Sequence, residues 1–582
     1  MKFGDFCGYL EQLEKTSKRL EMFEILSECF KNANKNEIKQ MVYFCQEQLL
    51  PPFYAMEMNM ASSMVSKALA KSSGKKKAEI DSSAKKVGDF GLVAEELMKS
   101  QKSVGLCVNE IYDFLMEIAK TSGEGSVEKK TDFLSDLIKK CGSKETKYVV
   151  RFVMGRLRLG IGGPTIMDSM SKALSGDRMK LRKDIERAYN LCSDLGLVGD
   201  ELFKHGEKGL KEFKAKVGNP IRMAAAERLP SAEEIIGKMG KCAVEKKYDG
   251  LRLQCHKEGD KIEIFSRNLE RMTSMFPDIV KAIKEDIKAK TVILEGEAVA
   301  FNEETGELFP FQVTITRKRK YDIEEKAKEK PLVLFAFDLL YVDGKDITRE
   351  AYEDRRKKLV SIIKKGFTIR ESERIVTDDP KELDKYFEES IELGSEGIMA
   401  KRLDAPYEAG MRNFNWIKLK RSYKGELNDT IDVVLIGYFK GRGMRAEFGI
   451  GALLAGVYNE NDDSFQSIAK IGSGLTEGQW VEIRKLLDKD RVEKKPSRVE
   501  TGISPDVWVA PKYVFTVMAD EITLSPMHAA GKVGEKPGFA LRFPRVQGWI
   551  REDKKAEDAT TVKEISEMFK QQKRVKAVSF GR

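Results

Sequence analysis

The sequence predicts a modular protein of mixed class: an all-helical N-terminal part, an α+β middle and a small β-barrel near the C-terminus. Three observations carry this expectation. At 582 residues the chain is too long for one ordinary core and implies roughly three to four domains. Apolar residues recur at three- and four-residue spacing up to about Lys216, and after about Gly218 they give way to short runs of strand length. From Asp432 onward the apolar runs become glycine-punctuated.

In the first part, Leu20, Phe23, Leu26 and Phe30, then Met41, Phe44, Cys45 and Leu49, trace helical faces. Breakers follow at Pro51-Pro52 and between Gly160 and Pro164. Met56, Met58, Met60 and Met64 read as adaptable core packing rather than a binding surface. The run from Lys71 to Lys77 reads as a solvated, mobile loop within reach of phosphate. In the middle, Lys261 to Phe265, Val292 to Leu294 and Leu332 to Leu340 read as strands, and Pro277 to Ile287 and Leu383 to Leu393 as helices. Near the end, Val433 to Gly437 and Leu453 to Val457 read as strands of a barrel the size of an OB-fold, followed by a charged helical tail after Thr561. The expected domains are 1–218, 219–423 and 424–582. No internal repeat interrupts them.

Composition excludes several classes. With 41% hydrophobic and 34% charged residues and no apolar run of the roughly 20 residues that span a bilayer, no membrane is implied. The N-terminus lacks the basic and apolar regions of a signal peptide, so a cytoplasmic location is expected. The eight cysteines are spread singly without a CxxC pair, as reduced core residues are. Only His205, His256 and His528 are present, which removes His-rich metal sites and leaves catalysis to Lys, Arg, Asp and Glu. The net charge of +10 is modest and compatible with a polyanionic partner.

The segment Glu245 to Gln254 concentrates the chemistry. Lys247 stands between the apolar pair Ala243-Val244 and the turn at Gly250, where a nucleophile is held rigid and partly desolvated. Partial burial and the nearby Arg252 are expected to favour the neutral amine, the form that attacks phosphorus. Glu245, two residues earlier on a strand, shares the face of Lys247. Alone, a KxDGxR pattern arises by chance on the order of 0.03 times in such a chain, and the bland reading is a charged surface turn.

Further segments follow in order: Phe265 to Asn268, Leu294 to Ala300, Phe335 to Tyr341, Glu396 to Lys401, Trp416 to Lys420, Leu541 to Arg545 and Arg551 to Lys554. Upstream stand Val87 to Gly91 and Arg156-Leu157-Arg158-Leu159-Gly160-Ile161-Gly162-Gly163. In this order and spacing the chain resembles the covalent nucleotidyltransferases, and within them the ATP-dependent DNA ligases of archaeal and eukaryotic replicative type. The resemblance implies a helical DNA-binding domain, an α+β adenylation domain and an OB-fold domain, in that order, closing around nicked duplex DNA. It implies ATP and Mg²⁺ as cofactors, a lysyl-AMP intermediate on Lys247, and roles in DNA replication, repair and recombination.

Carried onto this sequence, the resemblance places Glu245 at the adenine, the Phe337 ring against its face, and Glu297 and Glu396 as carboxylates for the metal, Glu297 alternatively at the ribose. Arg252, Arg267, Arg412, Lys418 and Lys420 become nucleotide contacts, while Arg551 and Lys554, with Asp553 between them, orient the departing pyrophosphate when the last domain closes. Arg156 and Arg158 become DNA-phosphate contacts. A monomer is expected, with a sliding clamp as a candidate recruiting partner. Met223-Ala224-Ala225-Ala226 departs from the family's usual Pro-Met-Leu-Ala, which implies a changed linker or local packing. Two alternatives share parts of this pattern: an RNA ligase or capping-type nucleotidyltransferase, and a non-enzymatic DNA-binding scaffold.

Overall fold

The computed structural model describes the chain except residues 17, 156, 303–307, 310, 319–321, 365, 421–429, 442–448 and 572–582, and the side chains of 311, 312, 392 and 571. The helices from Phe3–Glu14 to Leu195–Glu212 surround one apolar core in which Phe3, Phe6, Phe30 and Phe44 are fully buried. Met60 and Met64 belong to that core and Met58 packs against it, as expected, whereas half-buried Met56 is not part of it. Lys71 to Lys77 is not a loop. Lys71 lies within the Ser62–Ser73 helix, Lys77 opens the Lys77–Val87 helix, and only three residues separate them. Gly74, at φ 71°, ends the first helix in the left-handed cap position, while buried Val65, Ala68 and Leu69 hold its last turns to the core. Lys71 and Lys77 pair with Asp132 and Asp81.

The middle part contains two sheets. One has the order Ala225–Arg228, Arg412–Lys420, Gly397–Arg402, Cys242–Lys247, Arg374–Thr377, with its first pair parallel and the others antiparallel. The other runs Lys261–Ser266, Leu251–Glu258, Thr291–Ala300, Leu332–Val342, Lys345–Asp346, with Ile369–Glu371 parallel to Leu332–Val342. Helices Ala232–Met239 and Pro380–Glu392 cover the first sheet through Ile235, Leu383 and Phe387, and helix Pro277–Asp286 covers the second through Ile279 and Ile283. The chain passes from one sheet to the other at Tyr248 to Gly250, so the residues at that crossing face the space between the sheets.

In the C-terminal part the Ile431–Phe439 strand pairs with Ala452–Asn459, Val507–Val509 and Val514–Met518. Register shifts after Leu435, Ala455 and Phe515 mark bulges, which curl the sheet towards a barrel. Trp480, Ile483 and Leu487 of the Glu477–Leu487 helix are buried in its core. The tail after Thr561 forms the expected helix, Val562–Gln571, anchored by buried Ile565.

Candidate active site

Lys247 ends its strand at the rim of a cavity of about 430 Å³ between the two sheets. The turn after it is pinned by packing. The Tyr248 ring lies flat on Phe335, with centroids 3.8 Å apart and planes 6° apart, inside an apolar cluster with Val299, Phe301 and Val333. Gly250 is required because a Cβ there would sit 2.3 Å from the Ala298 carbonyl oxygen. Gly397, at φ 152°, lies opposite Lys247, and a Cβ on it would meet the Leu419 carbonyl oxygen at 2.1 Å. Two backbones thus approach closely beside the lysine, and Glu396, just before Gly397, reaches it.

Lys247 Nζ bonds to one oxygen of Glu396, and Lys420 takes the other. Burial opposes the charge on Lys247, but Glu396 and Glu297 outweigh it and hold the ammonium above its ordinary range. The expected neutral amine is therefore not the resting state. Burial likewise opposes ionisation of Glu396, yet Lys247 and Lys420 hold its carboxyl down to about 2. Glu297 is pushed up to about 7 by burial, against the pull of Lys247 and Arg252.

Arg267, Arg412, Lys418 and Lys420 all border the cavity. Burial lowers the Lys418 amine, and the neighbouring Lys420, Lys247, Arg412 and Arg267 lower it further. Such a crowd of cations is relieved by a polyanion. The lining also has an aromatic part: Phe337 meets Trp416 edge-on at 6.1 Å, and the Arg252 guanidinium lies 5.3 Å from the Phe337 centroid and 5.4 Å from that of Trp416.

Glu245 lines the same cavity at 2% exposure, so it is not part of a charged surface turn. Its oxygens are shared between the Tyr352 hydroxyl and Lys401 Nζ, the latter at 2.9 Å. Neither partner was assigned a role from sequence. Lys401 was legible only as part of the Glu396 to Lys401 segment; the register pairs it with Ala243, which places it diagonally beside Glu245 on one face. Tyr352, 107 residues from Glu245, carried no local signal.

Two expected groups stand apart. Arg551 pairs with Asp553 at 2.6 Å and Lys554 with Asp432 at 2.7 Å, both on the barrel and outside the cavity lining. The barrel instead presents Arg542, whose guanidinium donates to both oxygens of Asp249 at 3.2 and 3.4 Å. The Arg545–Ile550 strand carries the chain away before Arg551 is reached. In the helical part, Arg158 is half-exposed at φ 63°; its guanidinium donates to the Gly88 carbonyl at 3.1 Å and lies 3.6 Å from Asp89. The two upstream segments therefore meet in space. Arg156 lies outside the described residues.

For Mg²⁺, the two carboxylates Glu297 and Glu396 border the cavity, and no group of three or more potential metal-binding side chains occurs among the described residues. Carboxylate oxygens beside these cations fit an ion that keeps waters and shares phosphate oxygens, with Glu396 exchanging Lys247 or Lys420 for it.

A partly buried lysine amine, cationic side chains and aromatic rings lining one cavity suit the binding of a nucleotide. Comparison with known proteins goes further. Residues 223–420 match the family model of the ATP dependent DNA ligase domain, residues 2–171 the DNA ligase N terminus, and residues 446–554 the ATP dependent DNA ligase C terminal region. The chain is 53% identical over 578 residues to a probable DNA ligase of Dictyoglomus thermophilum, covering 99% of each. It is 41% identical over 587 residues to a DNA ligase of Sulfolobus acidocaldarius, covering 98% of each. A solved chain named Pmar-Lig_Pre shares the fold at 18% identity with a TM-score of 0.52, covering 94% of this chain and 99% of that one. The protein belongs to the ATP-dependent DNA ligase family.

Proposed function

We propose that this protein seals nicks in duplex DNA through an AMP adduct on Lys247. The observation that carries the reading is that the Lys247 amine, bonded to Glu396, shares one cavity with the cations, with Phe337 and with Glu245. Adenine fits the aromatic side, with the Phe337 ring against its face and Glu245, oriented by Tyr352 and Lys401, as acceptor for its amino group. The triphosphate then lies along Arg267, Arg412, Lys418 and Lys420.

Lys247 attacks the α-phosphorus, forming a phosphoramidate and breaking the bond to pyrophosphate. Attack requires the ammonium to give up its proton to solvent, while Glu396, bonded to Nζ, holds the amine in place. The AMP next passes to the 5′-phosphate at the nick, and the adjacent 3′-hydroxyl displaces it to close the backbone. Arg252 holds the bound nucleotide, and the cationic wall offsets charge developing on the transferred phosphate. Mg²⁺, held by Glu297 and Glu396, supplies further charge neutralisation when bound.

Domains at 1–218 for DNA binding, 219–423 for adenylation and 424–582 for the OB-fold bracket the three matched stretches, which supports this division. Arg156 and Arg158 remain proposed DNA contacts. Arg551 and Lys554 reach pyrophosphate only after the barrel turns, which makes its closure a gate. The reading takes the protein as a cytoplasmic monomer with a sliding clamp as candidate partner; no described helix is long and apolar enough to cross a membrane.

The test is mass spectrometry after incubation with ATP and Mg²⁺, beside Lys247→Ala, followed by nicked DNA and nicked RNA substrates. An AMP adduct on wild type alone, with sealing of DNA, is expected. An equal adduct on both proteins refutes Lys247 as nucleophile; sealing of RNA alone makes the enzyme an RNA ligase; no adduct on either favours a scaffold.

A further inference from the structure

The segment joining the helical part to the catalytic part is held on both sides. From the helical side, Ser193 Oγ donates to the Pro220 carbonyl at 2.6 Å, and the Arg222 N–H donates to the Asn190 carbonyl at 2.7 Å. From the catalytic side it meets three alternate residues of the Leu251–Glu258 strand, Arg252, Gln254 and His256, which share one face. His256 Nδ1 accepts from the Gly218 N–H at 3.0 Å. Its other nitrogen donates to Gln254 Oε1 at 2.9 Å, which also accepts from the Ile221 N–H at 2.7 Å. Gln254 Nε2 donates to the Ile221 carbonyl at 2.9 Å and to Glu295 at 3.1 Å. Gln254 thus uses all four of its hydrogen-bonding positions, fully buried. His256 is held neutral by burial, its pKa lowered to about 3, as its acceptor role requires.

The comb ends at the cavity. Arg252 Nη1 donates to the Ala224 carbonyl at 2.8 Å and Nη2 to Glu295 at 2.8 Å. The Tyr407 hydroxyl accepts from the Ala224 N–H and donates to the same Glu295, each at 2.8 Å. Arg252 Nε is buried without a hydrogen-bond partner among the described residues, while the side chain borders the cavity. These contacts use the linker's backbone, so the unusual side chains from Met223 to Ala226 leave them intact.

We propose that Gln254 and Tyr407 are positioning residues: they hold the interdomain linker and Glu295 so that the linker's Ala224 carbonyl aims the Arg252 guanidinium into the nucleotide cavity. The inference rests on reading Arg252 as a nucleotide contact. Disturbing the comb weakens ATP binding before it slows the chemistry.

The test measures the rate of Lys247–AMP formation against ATP concentration in the full chain for wild type, Tyr407→Phe, Gln254→Met and Arg252→Ala. Tyr407→Phe is volume-conserving and keeps the test usable if Gln254→Met folds poorly. The expected result for both positioning variants is a half-saturating ATP concentration raised about fivefold, because the lost hydrogen bonds reach ATP only through the aim of Arg252, with the maximal rate within about twofold of wild type. A purely structural role instead lowers the melting temperature and leaves half-saturation unchanged. If Arg252→Ala raises half-saturation and Tyr407→Phe does not, the positioning inference is overturned and the pocket reading stands. If Arg252→Ala also leaves it unchanged, Arg252 is not a nucleotide contact, and the inference falls with that reading.

Discussion

Arg542 joins the barrel to the catalytic motif, and its removal should separate two steps of the reaction. Its guanidinium meets Asp249 through two N–O contacts at 3.2 and 3.4 Å, with side chains 22% and 26% exposed. A fully exposed pair contributes about 0.2–1 kcal/mol. Hydrogen bonds to charged groups contribute about 1.5–3 kcal/mol. Glu521 lies 3.6 Å from the same guanidinium and competes with Asp249 for it, which places the contact between those two ranges. We expect about 1.4 kcal/mol, a factor of about ten in the docked population. In this docking Arg551 and Lys554 lie outside the cavity, so it suits steps after pyrophosphate has left. Arg542→Ala should therefore slow sealing of a pre-adenylated nick about tenfold while leaving AMP transfer from ATP to Lys247 within about twofold. The assay is single-turnover sealing of 5′-adenylated nicked DNA beside the adduct assay. The deficit should narrow with added salt, because the pair is partly exposed. A double-mutant cycle with Asp249→Ala isolates the contact. Coupling under about 0.3 kcal/mol, within the ordinary error of additivity, would refute the reasoning.

Three other outcomes follow from the same geometry. Gly250→Ala places a methyl 2.3 Å from a backbone oxygen that cannot move without its strand, so about 2–3 kcal/mol of stability and roughly 5–10 °C of melting temperature should be lost; calorimetry showing no change would contradict this. Phe337→Leu keeps bulk but loses the flat face, and should raise the KM for ATP about fivefold with little change in kcat, read from initial adenylation rates. Asp89 is 6% exposed; burial raises its carboxyl, but Arg151 and the Gly91 N–H outweigh burial and leave it below its ordinary 3.8. A carboxyl lowered on folding stabilises the protein fully above its unfolded value, and that stability is lost as pH falls through the folded value. Acid unfolding of the helical part below about pH 3.8 should therefore be less steep in Asp89→Asn, and an identical acid limb would exclude this contribution.

Much of the architecture was legible because its signals are local. Spacing of three and four marked the helices, and the alternation of Glu245 with Lys247 put both on one face, where the structure has them. The Lys71 to Lys77 reading failed for a local reason as well. Lysine and serine are compatible with a helix end, and the glycine marked a three-residue joint rather than a loop.

By itself, the sequence determined the order of the parts, the strand-to-turn setting of Lys247 and the kinds of side chain that gather around it. The tertiary structure alone decided how those side chains are charged and paired. Lys247 and Glu396 are 149 residues apart, and Asp249 and Arg542 293 apart. Whether an amine is neutral depends on carboxylates that only strand register and domain docking bring within a few ångströms, where Coulomb energies exceed the cost of burial. The same distances explain why Tyr352 and Lys401 emerged as partners of Glu245, and why Arg551 and Lys554 stand on the barrel, away from the cavity.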